Sequence, residues 1–153
     1  MLFLLFQLGQ DRYVLDASQI AEVVPLLSIT PIPQAPPGVA GICNYHGLLV
    51  PVIDISALLL SQPAQRRLST RILLVYYPDD NGEKQLLGFI AEKAVETVRR
   101  EPTNFRASGI TNVAAASLGP VAIDARGLVQ WIAVHKVLPA SVRHVLFKQL
   151  EEN

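Results

Sequence analysis

The sequence predicts a mostly β protein built from small antiparallel barrels. Strand-like pairs recur in both halves of the 153 residues, a polar connection from Ser61 to Ser69 separates those halves, and short helices fall only at their ends. Strands with so little intervening helix argue against a parallel α/β sheet, which needs crossover helices between strands. A chain of this length fits one domain with a real core, and two small subdomains sharing that core fit equally.

Taken in order, Leu2–Leu8 reads as a strand, Gly9-Gln10-Asp11 as a turn, and Arg12–Leu15 as the returning strand. Asp16 and Ser18 are each suited to cap a short helical turn through Ile20-Ala21-Glu22-Val23. Four prolines between Thr30 and Pro37 forbid a regular helix or a central strand, and predict a stiff surface arch within the domain. Gly38–Leu58 follows as a hairpin. Its apolar arms are expected to be buried, and its turn, Asn44-Tyr45-His46-Gly47, uses residues that tolerate positive φ. Ser56 is the expected cap of a short helix over Ala57–Leu60, and Ser61–Ser69 is the expected subdomain boundary.

The second half opens with an apolar strand, Arg71–Tyr77, and a turn at Pro78–Gly82, answered by Leu86–Ala91. Over Glu92–Arg100 the periodicity does not separate strand from helix. Pro102–Ala116 is small, polar and turn-prone, as an exposed, mobile loop would be. Val121–Ala125, the Arg126-Gly127 turn and Leu128–Val134 form a last hairpin, with Asp124 expected to face solvent and Trp131 to be core or a contact aromatic. From Pro139 the pattern turns helical, with Val142, Val145, Leu146 and Leu150 on one face.

Composition narrows the function. Lys plus Arg and Asp plus Glu balance at 13 each, which gives no footprint for nucleic acid or an anionic membrane surface. The opening Met1–Phe6 lacks the basic n-region and cleavage site of a signal peptide, and no apolar run approaches the roughly 20 residues that span a bilayer. A soluble protein is expected. One cysteine, Cys43, fits a reducing compartment, with the cytoplasm as the default.

Cys43, His46 and Asp54 invite a nucleophile, base and orienter reading, but strand alternation sends Cys43 into the core while His46 lies past the turn. Zinc needs four ligands; Cys43 and His46 have only the distant His135 and His144 to draw on. No phosphate loop or serine elbow is present, and Asp79-Asp80 sits in a turn where acids are ordinary. No catalytic residue, metal or cofactor is expected.

In the hairpin, Gly41, Asn44, Gly47, Pro51 and Asp54 fall in register with Gly-x-x-Asn-x-Arg-Gly-x-x-x-Pro-x-x-Asp, and Ile20-Ala21-Glu22-Val23 with Val-x-Glu-Val. On these residues the chain resembles the CheW-like coupling proteins of bacterial chemosensory arrays. The second half offers mainly Gly88-Phe89-Ile90-Ala91-Glu92, where that family commonly has Gly-x-x-Val-Asp.

The resemblance implies two SH3-like five-stranded barrels packed together: one subdomain over about 16–68, a second from about 1–15 and 69–138, and a C-terminal helix over about 139–150. It also implies a non-enzymatic adaptor, cytoplasmic and recruited to receptor arrays at the inner membrane. Its partners would be the regulatory domain of a CheA-type histidine kinase and the cytoplasmic tip of a chemoreceptor. Ile20, Glu22, Asn44, His46 and Gly47 would meet the receptor; Val39, Gly41 and Ile42 would meet the kinase, with Gly41 letting a partner backbone approach. His46 stands where the family usually presents arginine, so the expected receptor is a divergent one or belongs to an alternative pathway. The rival readings are a small cytoplasmic enzyme using Cys43 and His46, and a ligand-binding barrel without a kinase partner.

Overall fold

The computed structural model describes residues 1–26, 28–78, 82–107 and 118–139 together with Val142, Arg143 and Leu146, with Val95 and Leu118 described by backbone alone. Among them run nine strands and two short α-helices: β1 (Leu2–Leu8), β2 (Asp11–Asp16), β3 (Ile20–Pro25), β4 (Val39–Tyr45), β5 (Leu48–Asp54), α1 (Ile55–Leu60), β6 (Arg71–Pro78), β7 (Lys84–Arg99), β8 (Leu118–Asp124), β9 (Gly127–Ile132) and α2 (Val134–Val137). The molecule is mostly β, as the sequence predicts.

The strands form two five-stranded sheets that share β7. Its first half pairs antiparallel with β6 and parallel with β5, and β3 and β4 complete that sheet. Its second half pairs with β1, and β2, β9 and β8 follow outward. Between the halves the β1–β7 register shifts and Lys93 takes φ +50°, a bulge that turns one strand from sheet to sheet.

Among the described residues neither ladder closes into a full barrel, and a single bridge brings the edges together in each: Thr30 exchanges hydrogen bonds of 2.8 and 2.9 Å with Ile42, and Arg106 exchanges bonds of 2.8 and 2.7 Å with Val121. The arrangement fits a pair of SH3-like barrels with open seams.

Side-chain alternation explains the continuous apolar runs. On β6, Ile72 and Leu74 point into the first barrel with Val24, Cys43, Val50 and Val52, while Leu73, Val75 and Tyr77 point the other way. On β1, Phe3 and Leu5 fill the second barrel with Val14 and Phe105, while Leu4, Phe6 and Leu8 face outward from it. Those two outward faces meet, and α2, Val142 and Leu146 cover them, so the largest core lies between the barrels. Strands buried on both faces have no polar alternation to show.

Several expectations change. Ile20–Val23 is strand, not helical turn; a one-turn 3-10 segment at Ala17–Gln19 precedes it, with Asp16 accepting from Ser18 N at 2.9 Å. Asp54, not Ser56, caps α1 by accepting from Ala57 N at 3.1 Å. Glu92–Arg99 is strand. The polar connection after α1 joins elements of the same sheet, because β6 pairs with β3, so the first barrel runs past residue 68 and the sheets part inside β7. Asp124 does not simply face solvent: the Arg12 guanidinium grips it through two bonds of 3.1 and 2.6 Å. Of the predicted loop, Pro102–Asn104 is a 3-10 turn and Phe105 is buried, while residues 108–117 lie outside the described residues. Of the predicted C-terminal helix, Val142, Arg143 and Leu146 are helical and the two apolar ones buried; Val145 and Leu150 lie outside the described residues.

Candidate functional site

The β4–β5 hairpin carries most of the residues singled out in the sequence. His46 and Gly47 take φ +52° and +86°, positive at both central positions, which is the turn geometry that matches strand twist. The Asn44 side chain accepts from Gly47 N at 2.7 Å and so is spent on bracing this turn. His46 is exposed, its ring edge-on to Tyr45 with centroids 4.5 Å apart. Histidine is one of the few non-glycine types enriched at positive φ. His46→Gly is therefore expected to leave stability unchanged, while β-branched His46→Val should cost about 1–2 kcal/mol in urea unfolding.

The Tyr45 hydroxyl donates to the Glu22 carboxylate. Through this bond the structure joins the acid on β3 to the hairpin across the open seam between β3 and β4. Nothing in the sequence singles out Tyr45 for this bond. Both arms are expected to be buried, yet Leu48 and Leu49 are 52% and 49% exposed beside the turn. Two adjacent apolar residues directly after a two-residue turn were the available signal, since the strand has not yet reached the core there.

Ile20 is half-buried against the shared core, one bulge away from Glu22. Val39 also packs on that core, and Ile42, further along β4, is half-buried. Gly41 is buried and takes φ +147°, and a Cβ there would sit 2.2 Å from Thr30 O. The backbone that approaches Gly41 is the chain's own, at the bridge between Thr30 and Ile42.

The three members of the catalytic reading stand apart. Cys43 is 1% exposed inside the first barrel, where burial pushes its thiol pKa up. His46 is at the exposed tip, and Asp54 caps α1 and accepts from Ala64 N at 3.0 Å. A neutral, enclosed thiol reacts slowly. Native Cys43 is accordingly expected to resist alkylation, reacting at least about tenfold more slowly than after denaturation, as read by mass spectrometry. Among the described residues no three His, Cys, Asp or Glu side chains group as metal ligands, and no helix is long and apolar enough to cross a membrane.

Two barrels fixed on a common core, with an exposed apolar hairpin tip braced to a neighbouring carboxylate, define a protein that presents surfaces on a stiff frame. The CheW-like domain family matches residues 2–142, and the chain belongs to that family. It is 26% identical over 102 residues to chemotaxis protein CheW of Helicobacter pylori, covering 67% of this chain and 59% of that protein. It is 38% identical over 50 residues to CheW of Treponema pallidum, covering 33% of this chain and 29% of that protein. A 53-residue match to CheW of Klebsiella aerogenes is 34% identical and covers 35% and 32% of the two. The matches thus span about three-fifths or less of these relatives' own lengths. Among solved structures, the scaffolding protein TtCheW from Thermoanaerobacter tengcongensis superposes with a TM-score of 0.79 at 25% identity, over 92% of this chain and 89% of that one.

Proposed function

We propose that this chain is a non-enzymatic adaptor that couples the cytoplasmic tip of a chemoreceptor to the regulatory domain of a CheA-type histidine kinase, working in the cytoplasm at receptor arrays. The observation that carries the reading is the hairpin tip. Leu48 and Leu49 offer apolar contact area, and Glu22, held by Tyr45, offers a fixed acceptor beside it. Family membership supports the scaffold role. In this reading Ile20, Glu22, Asn44, His46 and Gly47 form the receptor side, with Asn44 acting through the turn it braces. Val39, Gly41 and Ile42 mark the kinase side, with Gly41 shaping the β4 edge by its packing on Thr30.

The frame suits coupling. The two barrels share β7 and one core, so a load on either surface is transmitted without a flexible linker. His46 in place of arginine leaves a shorter side chain on the receptor side, matched to a receptor tip that does not rely on an arginine contact.

The decisive experiment is a titration of the purified protein against a kinase regulatory domain and, separately, a receptor-tip hairpin. Glu22→Ala and Tyr45→Phe are expected to weaken receptor-tip binding at least about fivefold with little change in melting temperature. His46→Arg should leave the cognate affinity within about threefold, and a sharp rise would count against a matched partner. Absence of binding to both proteins would sink the adaptor reading.

A further inference from the structure

A cavity of about 480 Å³ lies between the sheets, walled by the β1–β2 turn, α1, the connection after it and the bulge of β7. It shares no lining residue with the hairpin or with the positions assigned to either partner, and its size falls within the roughly 300–1,000 Å³ typical of ligand pockets. Its lining is polar and carries both signs of charge. Glu92 supplies a carboxylate that is only 8% exposed, and Arg67 and Lys93 supply two cations.

Glu92 turns one carboxylate oxygen to the cavity. One oxygen accepts from Gly9 N at 3.3 Å; among the described residues the other bonds no protein group and, like the Ser56 hydroxyl, stays open to the cavity. Among the same residues the Arg67 guanidinium and the Lys93 ammonium have no ion-pair or hydrogen-bond partner. A mostly buried carboxylate with one oxygen open to a cavity is available to a cationic group entering it. Lys93 also holds φ +50°, a conformation unfavourable for its side chain, at the wall of the same space.

We propose that this cavity binds a small zwitterion of the α-amino-acid class. The ligand's ammonium would pair with the open oxygen of Glu92 and its carboxylate with the Arg67 fork, which recognises carboxylates bidentately. Gln7 and Gln65, neutral and able both to donate and to accept, line the remaining wall and suit a polar side chain. Such a ligand would touch the connection after α1 through Arg67 and the bulge of β7 through Glu92. The site is independent of the docking surfaces, and its test does not involve either protein partner.

The full-length chain is screened by thermal shift against the common L-amino acids at about 10 mM, and hits are quantified by calorimetry. At least one polar amino acid is expected to raise the melting temperature, with its deaminated and decarboxylated analogues binding at least about tenfold more weakly; for L-glutamine these are glutaramic acid and 4-aminobutanamide. Arg67→Ala, at an exposed residue, and Glu92→Gln, which keeps an acceptor for Gly9 N, should each weaken binding about tenfold or more, and the exposed Lys136→Ala should not. The proposal is overturned if no amino acid shifts melting, if an analogue lacking one charge binds equally well, or if both cavity substitutions leave affinity unchanged.

Discussion

Gly41→Ala is expected to lower the free energy of unfolding by about 2–4 kcal/mol, a large share of a domain's margin. The residue takes φ +147°, and the added Cβ would lie 2.2 Å from Thr30 O and 2.8 Å from Thr30 C. Those are backbone atoms fixed by the paired hydrogen bonds between Thr30 and Ile42, so the clash cannot be relieved by a rotamer change. The seam of the first barrel must open instead. Gly47 is the control: it also takes positive φ, but a Cβ there meets nothing within 4 Å, and Gly47→Ala should cost only about 1 kcal/mol. Urea unfolding of both variants reads the difference. Equal losses at the two positions would show that the Thr30 contact contributes nothing to the seam.

Arg12→Ala is expected to cost about 2–4 kcal/mol and to flatten the acid limb of the stability profile. The Arg12 guanidinium is 9% exposed and makes a fork onto Asp124, with a further bond of 3.1 Å to Gly127 O, clamping β2 to the β8–β9 turn. Its hydrogen bonds hold the Asp124 carboxyl at about 2, below its ordinary value of 3.8; the Arg126 amide and the charge of Arg100 pull the same way. A folded-state pKa below the unfolded one stabilises the protein above the unfolded value and loses that contribution as pH falls through the folded one. The window therefore runs from about pH 4 down to about pH 2. Its size is about 1–2 kcal/mol once solvent screening is allowed for, because Asp124 remains 23% exposed. In Asp124→Asn that part of the acid-induced loss should disappear; an unchanged limb would show that the clamp is not the titrating element.

The strands were legible in the sequence because turn chemistry marks their ends: Gly9 between β1 and β2, His46-Gly47, and Arg126-Gly127 all sit where apolar runs stop. Pairing across long separations was not. Nothing local to Arg71–Pro78 says that it lies beside Ile20–Pro25, so the polar run after α1 read as a boundary although it is a surface connection within one sheet. The course of β7 was hidden for a related reason. Its bulge interrupts the two-residue period where the strand changes sheets, leaving Glu92–Arg99 without a clean pattern.

The hairpin tip was found from Asn44, His46 and Gly47, whose residue types betray a turn. Glu22 entered through the family resemblance, and its link to the tip needed the structure, because Tyr45 reaches it across a seam that has no sequence signature. At Gly41 the sequence suggests close approach by a partner's backbone, whereas the backbone that packs there is the chain's own Thr30, visible only once the proline-rich arch is seen to touch β4. The cavity beside Glu92 escaped altogether. Its walls come from four segments of the chain, and each residue alone reads as ordinary surface.

Because β7 serves as a wall of both barrels, neither lobe is a portable cassette. A cut just before that strand leaves β3–β6 without their shared wall and parts β1 and β2 from β7–β9, while a cut just after it takes β8 and β9 from the second barrel, so gene fragments ending there should yield aggregating pieces, and shuffling between relatives can exchange the pair only as an indivisible block.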